Sequence, residues 1–213
     1  MGPGRPYVRL LDAGAVNGVP YALVSEHTRG TRPSDSFEEV VRIALRDGSR
    51  TTILRRPAWE TGYGEARLLA GGDVLGLVFS LIYHSLVRLS PSATPTVRWE
   101  AFVGVDADFH LVLREGVPST VSFRRDRDQG PAPVLTIVRH DVASGSLGAP
   151  TIVDVTDPDR RIGSALWCRD WLSPTELACG REDGPPVAIS VADGSFRVLS
   201  GGRGAVPTAV RPG

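Results

Sequence analysis

The sequence predicts an all-β protein of the β-propeller class, complete or partial, made of about four four-stranded antiparallel meander blades. Gly (24 residues) and Pro (17 residues) occur along the whole chain of 213 residues, which disfavours long helices and favours short elements joined by turns. Alternating apolar runs are joined by Asp-Gly, a dipeptide that strongly indicates a hairpin. The hairpins recur as a unit of strand, turn, strand, loop, strand, turn and strand.

Two hairpins have this Asp-Gly signal. Val41, Ile43 and Leu45 are predicted to share one face of the strand that precedes Asp47-Gly48. The second hairpin turns at Asp193-Gly194, and a type I′ turn, with positive φ at both central positions, is predicted at each. The paired runs are residues 41–45 with 51–54, residues 187–191 with 196–199 and, around Ser144-Gly145, residues 135–140 with 151–155.

A second kind of turn begins each repeated unit. It is predicted at Asn17-Gly18, Gly72-Asp73, residues 106–108 and Ser173-Pro174. The second unit departs furthest from the pattern, because Pro91 and Pro95 replace its Asp-Gly turn. Its apolar residues between 75 and 89 also satisfy a helical stripe, but the flanking Gly, Asp, Ser and Pro residues favour strands.

The fourth unit resembles a blade of the TolB-like or WD40-like propellers of actinobacteria. It combines an aromatic strand (165–172), a Ser-Pro turn, a small apolar strand and a strand pair joined by Asp-Gly. Residues 173–176 read Ser-Pro-Thr-Glu where the family has Ser-Pro-Asp-Gly, and the Gly-His and Trp-Asp pairs of a strict WD40 repeat are missing. The resemblance implies a scaffold that binds proteins or ligands on one face, and a fold alone does not dictate function.

A single domain is expected over residues 1–213. Residues 201–213 are predicted to form a flexible tail, or residues 206–210 a strand that completes the first blade. Because four blades is the lower limit for a ring, the chain is expected either to close as a four-bladed ring or to cover its open ends by self-association. A β-sandwich is the structural alternative, and Greek-key crossings instead of meanders would identify it.

Charge and hydropathy exclude several classes of partner. The 24 basic residues, all Arg, are matched by 24 acidic residues, so no global field attracts a nucleic acid. The longest apolar stretch, residues 74–83, is too short to span a bilayer, so no membrane insertion is predicted. The chain starts without the apolar region of a signal peptide. The expected partner is a protein or a small-molecule ligand, and no cofactor is predicted.

One group of residues could bind a metal. Asp106, Asp108 and His110 occupy positions i, i+2 and i+4, which point to one side of an extended strand and could converge on a divalent ion. The alternative is that Asp106 and Asp108 are turn residues, since Asp side chains bond their own backbone in turns. We favour the turn, so no metal site is assigned.

No motif predicts catalysis. Residues 144–148 lack the Gly-x-Ser-x-Gly order of a nucleophile elbow, and residues 201–204 are Gly-rich without a following helix. The four tryptophans are predicted to pack between sheets, the three other histidines to be isolated, and residues 124–128 to form a solvated loop. The expected function is a non-enzymatic binding or scaffold module that acts through its blade loops. The alternative is a hydrolase or lyase whose active-site residues come singly from several blades.

The two cysteines are placed as partners in a hairpin. Cys168 and Cys179 flank Ser173-Pro174 symmetrically, so in an antiparallel hairpin with an even loop they lie opposite each other. If the loop has four residues, the pair falls at a non-hydrogen-bonded site, where a disulfide can form. A disulfide would indicate an oxidising compartment, whereas reduced thiols would indicate the cytoplasm, and both remain open.

Overall fold

A computed structural model describes most of the chain. The described residues are 7–28, 30, 32, 35–57, 62–79, 83–91, 96–104, 109–124, 134–156, 166–181 and 184–199. They form sixteen strands. These are β1 (Tyr7–Val16), β2 (Val19–Thr28), β3 (Phe37–Ala44), β4 (Arg50–Pro57), β5 (Gly62–Leu68), β6 (Val74–Phe79), β7 (His84–Ser90), β8 (Thr96–Gly104), β9 (Phe109–Arg114), β10 (Val117–Arg124), β11 (Val134–Arg139), β12 (Thr151–Asp154), β13 (Leu166–Ser173), β14 (Glu176–Arg181), β15 (Val187–Ser190) and β16 (Phe196–Val198).

The strands form four four-stranded antiparallel sheets, each a simple meander. The strand orders are β1-β2-β3-β4, β5-β6-β7-β8, β9-β10-β11-β12 and β13-β14-β15-β16, here called blades 1 to 4. The chain is therefore all-β, with four blades of the propeller type, as the sequence predicts. Because each strand pairs with its sequence neighbour and no Greek-key crossing occurs among the described strands, the β-sandwich alternative is wrong.

Two compact units divide the chain. Unit 1 (Met1–Val105) contains blades 1 and 2, and unit 2 (Asp106–Pro212) contains blades 3 and 4. Each unit has its own apolar core, formed between its two blades. The core of unit 1 includes Leu23, Ile53 and Leu89, and that of unit 2 includes Leu135, Leu177 and Ile189. Each blade thus buries one face against the other blade of its unit.

The turns between the third and fourth strands repeat in blades 1, 3 and 4. In each, a carbonyl accepts a hydrogen bond from a glycine four residues later, and the amide of the same residue donates to a serine carbonyl five residues later. The three turns are Ala44–Gly48–Ser49, Asp141–Gly145–Ser146 and Ser190–Gly194–Ser195. Within each turn, only the glycine has positive φ (71° to 76°) among the described residues. The predicted type I′ geometry at Asp47 and Asp193 is therefore wrong, although the turn positions are confirmed.

Type I′ geometry occurs instead in the first turns of blades 1 and 3. Asn17 and Gly18 have φ values of 50° and 78°, and Glu115 and Gly116 have φ values of 51° and 78°. The first turn of blade 3 is thus Glu115-Gly116 and not residues 106–108, which precede β9 and lie outside the described residues. Sequence rules missed it because a glutamate is seldom found at positive φ.

Two further predictions about strands have different outcomes. Residues 74–79 and 84–90 form β6 and β7, so the strand interpretation is confirmed over the helical one. The prediction that Leu45 shares the strand face of Val41 and Ile43 is wrong, because β3 ends at Ala44 and Leu45 lies in the turn, 59% exposed. The core of unit 1 contains Val40 of β3. The predicted closing strand at residues 206–210 and the tail at 201–213 lie outside the described residues.

Candidate functional site

The candidate metal residues are only partly described. His110 is half-buried on β9 opposite Val121, while Asp106 and Asp108 lie outside the described residues. Among the residues that the structure describes, no three His, Cys, Asp or Glu side chains come close enough to bind a metal ion. Metal binding by Asp106, Asp108 and His110 therefore remains a prediction.

A histidine and a hydroxyl group meet inside blade 3. Oγ1 of Thr120 lies 2.9 Å from Nε2 of His140, and each residue is 1% exposed. Strands β10 and β11 bring them together, because Thr120 lies opposite Val138 and His140 follows two residues later on the same face. Burial lowers the pKa of the His140 imidazole, against a smaller opposing effect from the backbone of Gly145.

This pair has the chemical groups of a base and a nucleophile, but a substrate cannot reach them. A neutral imidazole next to a hydroxyl can accept its proton, which is the first requirement for nucleophilic catalysis. Catalysis also requires that a substrate reaches the hydroxyl oxygen, and side chains with 1% exposure do not allow this. We interpret Thr120 and His140 as a buried, hydrogen-bonded structural pair within blade 3.

Charged side chains lie between the blades of unit 1. Asp12 on β1 accepts a hydrogen bond from the amide of Leu68 on β5 through Oδ2, at 2.8 Å. Arg67 is 6% exposed, and its guanidinium donates to the carbonyl oxygens of Ala66 (3.1 Å) and Leu11 (3.5 Å). Leu11 is the extra residue of a bulge in the β1–β2 ladder. These bonds connect the first strands of the two blades and act as structural links.

Sequence reasoning missed these charges because no motif marks them. The available signal was the order Glu65-Ala66-Arg67-Leu68, in which charged and apolar residues alternate along a strand that begins a blade. Glu65 is also buried, at 4% exposure. Alternation usually predicts that the charged face meets solvent. Here the first strand is covered on both faces, so the same pattern places charges inside the protein.

In unit 2 an arginine connects the two blades. The guanidinium of Arg114, at the end of β9, lies 5.6 Å from the centre of the Trp171 ring on β13. The same side chain donates a hydrogen bond to the carbonyl oxygen of Pro174 at 2.7 Å. Trp171 packs against the core of unit 2, as predicted for the tryptophans. Trp167 and Trp99 are half-buried, and Trp59 lies outside the described residues.

The structure joins Cys168 and Cys179 by a disulfide between β13 and β14. The two residues are directly opposite in register, with Cα atoms 3.9 Å apart, and both are at most 1% exposed. The loop of the hairpin has two residues, Pro174 and Thr175, rather than four. Two bulges in β13 shift the register, one before Asp170 and one before Ser173. Cys168 and Cys179 therefore lie opposite each other as predicted, but through a two-residue loop and two bulges instead of a four-residue loop.

The two ends of each blade differ in their connections. In each blade, the connection between the first and second strands and the connection between the third and fourth strands lie at the same end of the sheet, here called the turn end. Two hydrogen bonds tie such turns together, from the amide of Leu45 to the carbonyl of Pro20 (2.9 Å) and from Val191 to Thr175 (2.8 Å). The opposite end, here called the loop end, carries the connections between second and third strands and those between blades.

Loop-end connections of blade 3 are long and charged. Residues 125–133 connect β10 to β11, and residues 155–165 connect β12 to β13. Their sequences include Arg-Asp-Arg-Asp at 125–128 and Asp-Pro-Asp-Arg-Arg at 157–161. Both segments contain charges of both signs in their sequence, and residues 125–133 and 157–165 lie outside the described residues.

No protein-family model matches this chain, and no curated protein sequence matches it. In the described part of the chain, no helix is long and apolar enough to cross a membrane.

Proposed function

We propose that this chain is a non-enzymatic binding or scaffold module of the TolB-like or WD40-like kind, which contacts a protein partner through the loop end of its blades. The observation that supports this proposal is the difference between the two ends. Most connections at the turn end have five residues or fewer, residues 140–150 excepted, whereas blade 3 carries two long connections at the loop end, residues 125–133 and 155–165. Binding residues are found disproportionately on such loops when a rigid scaffold holds them.

Blade 3 is the proposed centre of the contact surface. Its two loop-end connections, 125–133 and 155–165, combine Arg and Asp residues in equal numbers. Such a surface suits a partner with charges of both signs, since complementary charges speed association and exclude wrong partners. A protein surface offers this mixture, and a polyanion such as a nucleic acid does not. A small-molecule ligand at the same loops is the other occupant.

The disulfide supports a location for this activity. Cys168 and Cys179 are bonded and buried, which is the state of structural disulfides in oxidising compartments. We propose that the module works outside the cytoplasm. The rival function, an enzyme with dispersed residues, has no cluster among the described residues that favours it.

The test compares two variants that each remove one positive and one negative charge. Arg127→Ser with Asp128→Ser changes the loop end of blade 3, and Arg46→Ser with Glu115→Asn changes turn ends, where Asn tolerates the positive φ of residue 115. A partner is recovered from the source organism by crosslinking and purified, and its affinity is measured by calorimetry. We expect the loop-end variant to bind at least about tenfold more weakly and the turn-end variant to bind like the wild type. Equal affinities for all three proteins would refute the proposal.

A further inference from the structure

The first turn of blade 1 contains a side chain that can react with its own backbone. Asn17 is the only asparagine of the chain, and Gly18 follows it. The two residues form the loop between β1 and β2, and both are exposed. A Cβ added to Gly18 would meet no atom within 4 Å, so the space beside this glycine is open. A glycine amide, without a Cβ to shield it, is the least hindered backbone nucleophile.

The reaction of this pair is deamidation through a cyclic imide. The amide nitrogen of Gly18 attacks Cγ of Asn17 and forms a C–N bond, while the bond from Cγ to the side-chain nitrogen breaks. Ammonia leaves and takes the proton of the Gly18 amide. Water then opens the imide at Cγ, which gives aspartate, or at the backbone carbonyl carbon, which gives isoaspartate. In isoaspartate the backbone runs through Cβ and Cγ of residue 17, and a free carboxylate remains on its Cα.

The folded turn opposes closure of this ring. Asn17 has a φ of 50°, in the left-handed region. The imide is a nearly flat five-membered ring, and such a ring holds ψ of residue 17 far from the left-handed value of about 47°. Val16 and Val19 pair directly on either side of the loop, and Val16 packs in the core of unit 1 at 8% exposure. The paired strands therefore keep the loop in its type I′ geometry, and ring closure requires that the hairpin opens.

We propose that Asn17 is a modification site gated by the first hairpin of blade 1, which converts to isoaspartate when the hairpin opens and then hinders the hairpin from forming again. Isoaspartate adds one backbone atom between Val16 and Val19, where a type I′ turn has room for two ordinary residues. The same ladder sets the register that places Leu23 in the core of unit 1. The change is irreversible, so the modified fraction records how often the hairpin has opened.

Blade 3 contains a matched turn. Glu115 and Gly116 have φ values of 51° and 78°, close to those of Asn17 and Gly18, and Val-Pro follows in both turns. A glutamate has no side-chain amide to lose. Asn17→Glu therefore removes the reaction and introduces a residue that this turn geometry accepts. Glu115→Asn places the reactive pair in a second turn of the same geometry.

Peptide mapping tests the gate. The full chain is incubated at mildly alkaline pH, either folded or in denaturing urea, and is then cleaved at arginine. Mass spectrometry of the peptide of residues 10–29 follows the conversion of Asn17. We expect conversion to be at least about tenfold slower in the folded chain, because opening of the hairpin costs free energy. Position 115 of folded Glu115→Asn is expected to be protected to a similar degree.

Denaturation of the modified protein tests the consequence. Chains that contain isoaspartate are separated by chromatography, and we expect them to unfold at a lower urea concentration than unmodified chains. Asn17→Asp has the new charge without the extra backbone atom and is expected to unfold like the wild type, as is Asn17→Glu. Equal conversion rates in the folded and unfolded chain, or no conversion in either, overturn the gated site. Isoaspartate chains as stable as the wild type overturn its effect on the hairpin.

Discussion

At the scale of single residues, burial decides what His140 can do. Its imidazole is hydrogen-bonded to Thr120 and shielded from solvent, so the neutral form is favoured and the pKa lies below its ordinary value of 6.5. The unfolded chain binds a proton at this position at a higher pH than the folded chain. The contribution of neutral His140 to the free energy of unfolding is therefore fully present above about pH 6.5. It declines as the pH falls from there towards the folded-state pKa.

His140→Gln is expected to flatten this part of the stability profile. A glutamine amide can still bond the Thr120 hydroxyl but does not titrate, whereas the other three histidines remain in both proteins. Urea denaturation at pH 8 and at pH 5.5 gives the free energy of unfolding. We expect the wild type to lose more stability between these pH values than the variant. Parallel profiles would show that His140 is equally protonated in the folded and unfolded chains.

A second prediction at this scale concerns activity. We expect no turnover of esterase, phosphatase or glycosidase substrates, because no arrangement of nucleophile, base and orienting residue is recognisable in the sequence. Broad substrate screens of the purified protein are the measurement. Turnover that disappears in Asp106→Ala, Asp108→Ala or His110→Ala would contradict this prediction and would favour the enzyme alternative.

At the scale of elements, the repeated turns show how one local geometry meets different surroundings. Gly48 and Gly194 have the same role and similar φ values, 74° and 71°. Asp47 and Asp193 each accept a hydrogen bond from the amide of the serine two residues later. Hydrogen bonds from the backbone and hydroxyl of Ser49 hold the pKa of the Asp47 carboxyl below its ordinary value. Blade 4 differs in that its turn also bonds blade 3, through Thr156 N and Gly194 O at 2.9 Å.

This difference predicts unequal costs for the same substitution. A Cβ at position 48 meets no atom within 4 Å, whereas a Cβ at position 194 would overlap the carbonyl oxygen of Asp154. Gly48→Ala is expected to cost about 1–2 kcal/mol of unfolding free energy, from positive φ alone. Gly194→Ala is expected to cost about 2–5 kcal/mol, since the neighbouring backbone must also move. Chemical denaturation measures both. Equal costs would show that the contact of Gly194 with blade 3 contributes nothing to the free energy of unfolding.

The disulfide is the second prediction for an element. Intact mass of protein from its native source, after alkylation of the unfolded chain, is expected to show no labelled cysteine without reductant. Cys168→Ala with Cys179→Ala is expected to reduce the free energy of unfolding by about 2–4 kcal/mol, because the bond restricts the unfolded chain. Two labelled cysteines without reductant would remove the argument for an oxidising compartment.

At the scale of the whole molecule, the chain has two blade pairs whose cores are separately complete. Each pair buries apolar residues between its own sheets, such as Leu23 and Leu89 in unit 1 and Leu135 and Ile189 in unit 2. The sequence predicts in addition that the four blades close as a ring or that the open ends associate. That prediction concerns the whole chain and is tested in solution.

Light scattering and small-angle X-ray scattering of the purified protein separate these outcomes. A closed ring is expected to be a monomer with a radius of gyration of about 17 Å, the value for a compact chain of this length. Association through the open ends gives a larger mass. A monomer with a clearly larger radius of gyration contradicts both outcomes.

The sequence by itself determined the meander repeat and most of its turns. Asn17-Gly18 and Asp47-Gly48 act locally, since a turn needs only the right φ preferences and alternating neighbours, and both are visible in a few residues. Tertiary structure alone decided where Arg67 and His140 are buried and that Glu115 adopts positive φ. It also decided that Cys168 meets Cys179 through two bulges. These features depend on packing between strands far apart in the chain, and packing free energy there exceeds the local preference of each residue.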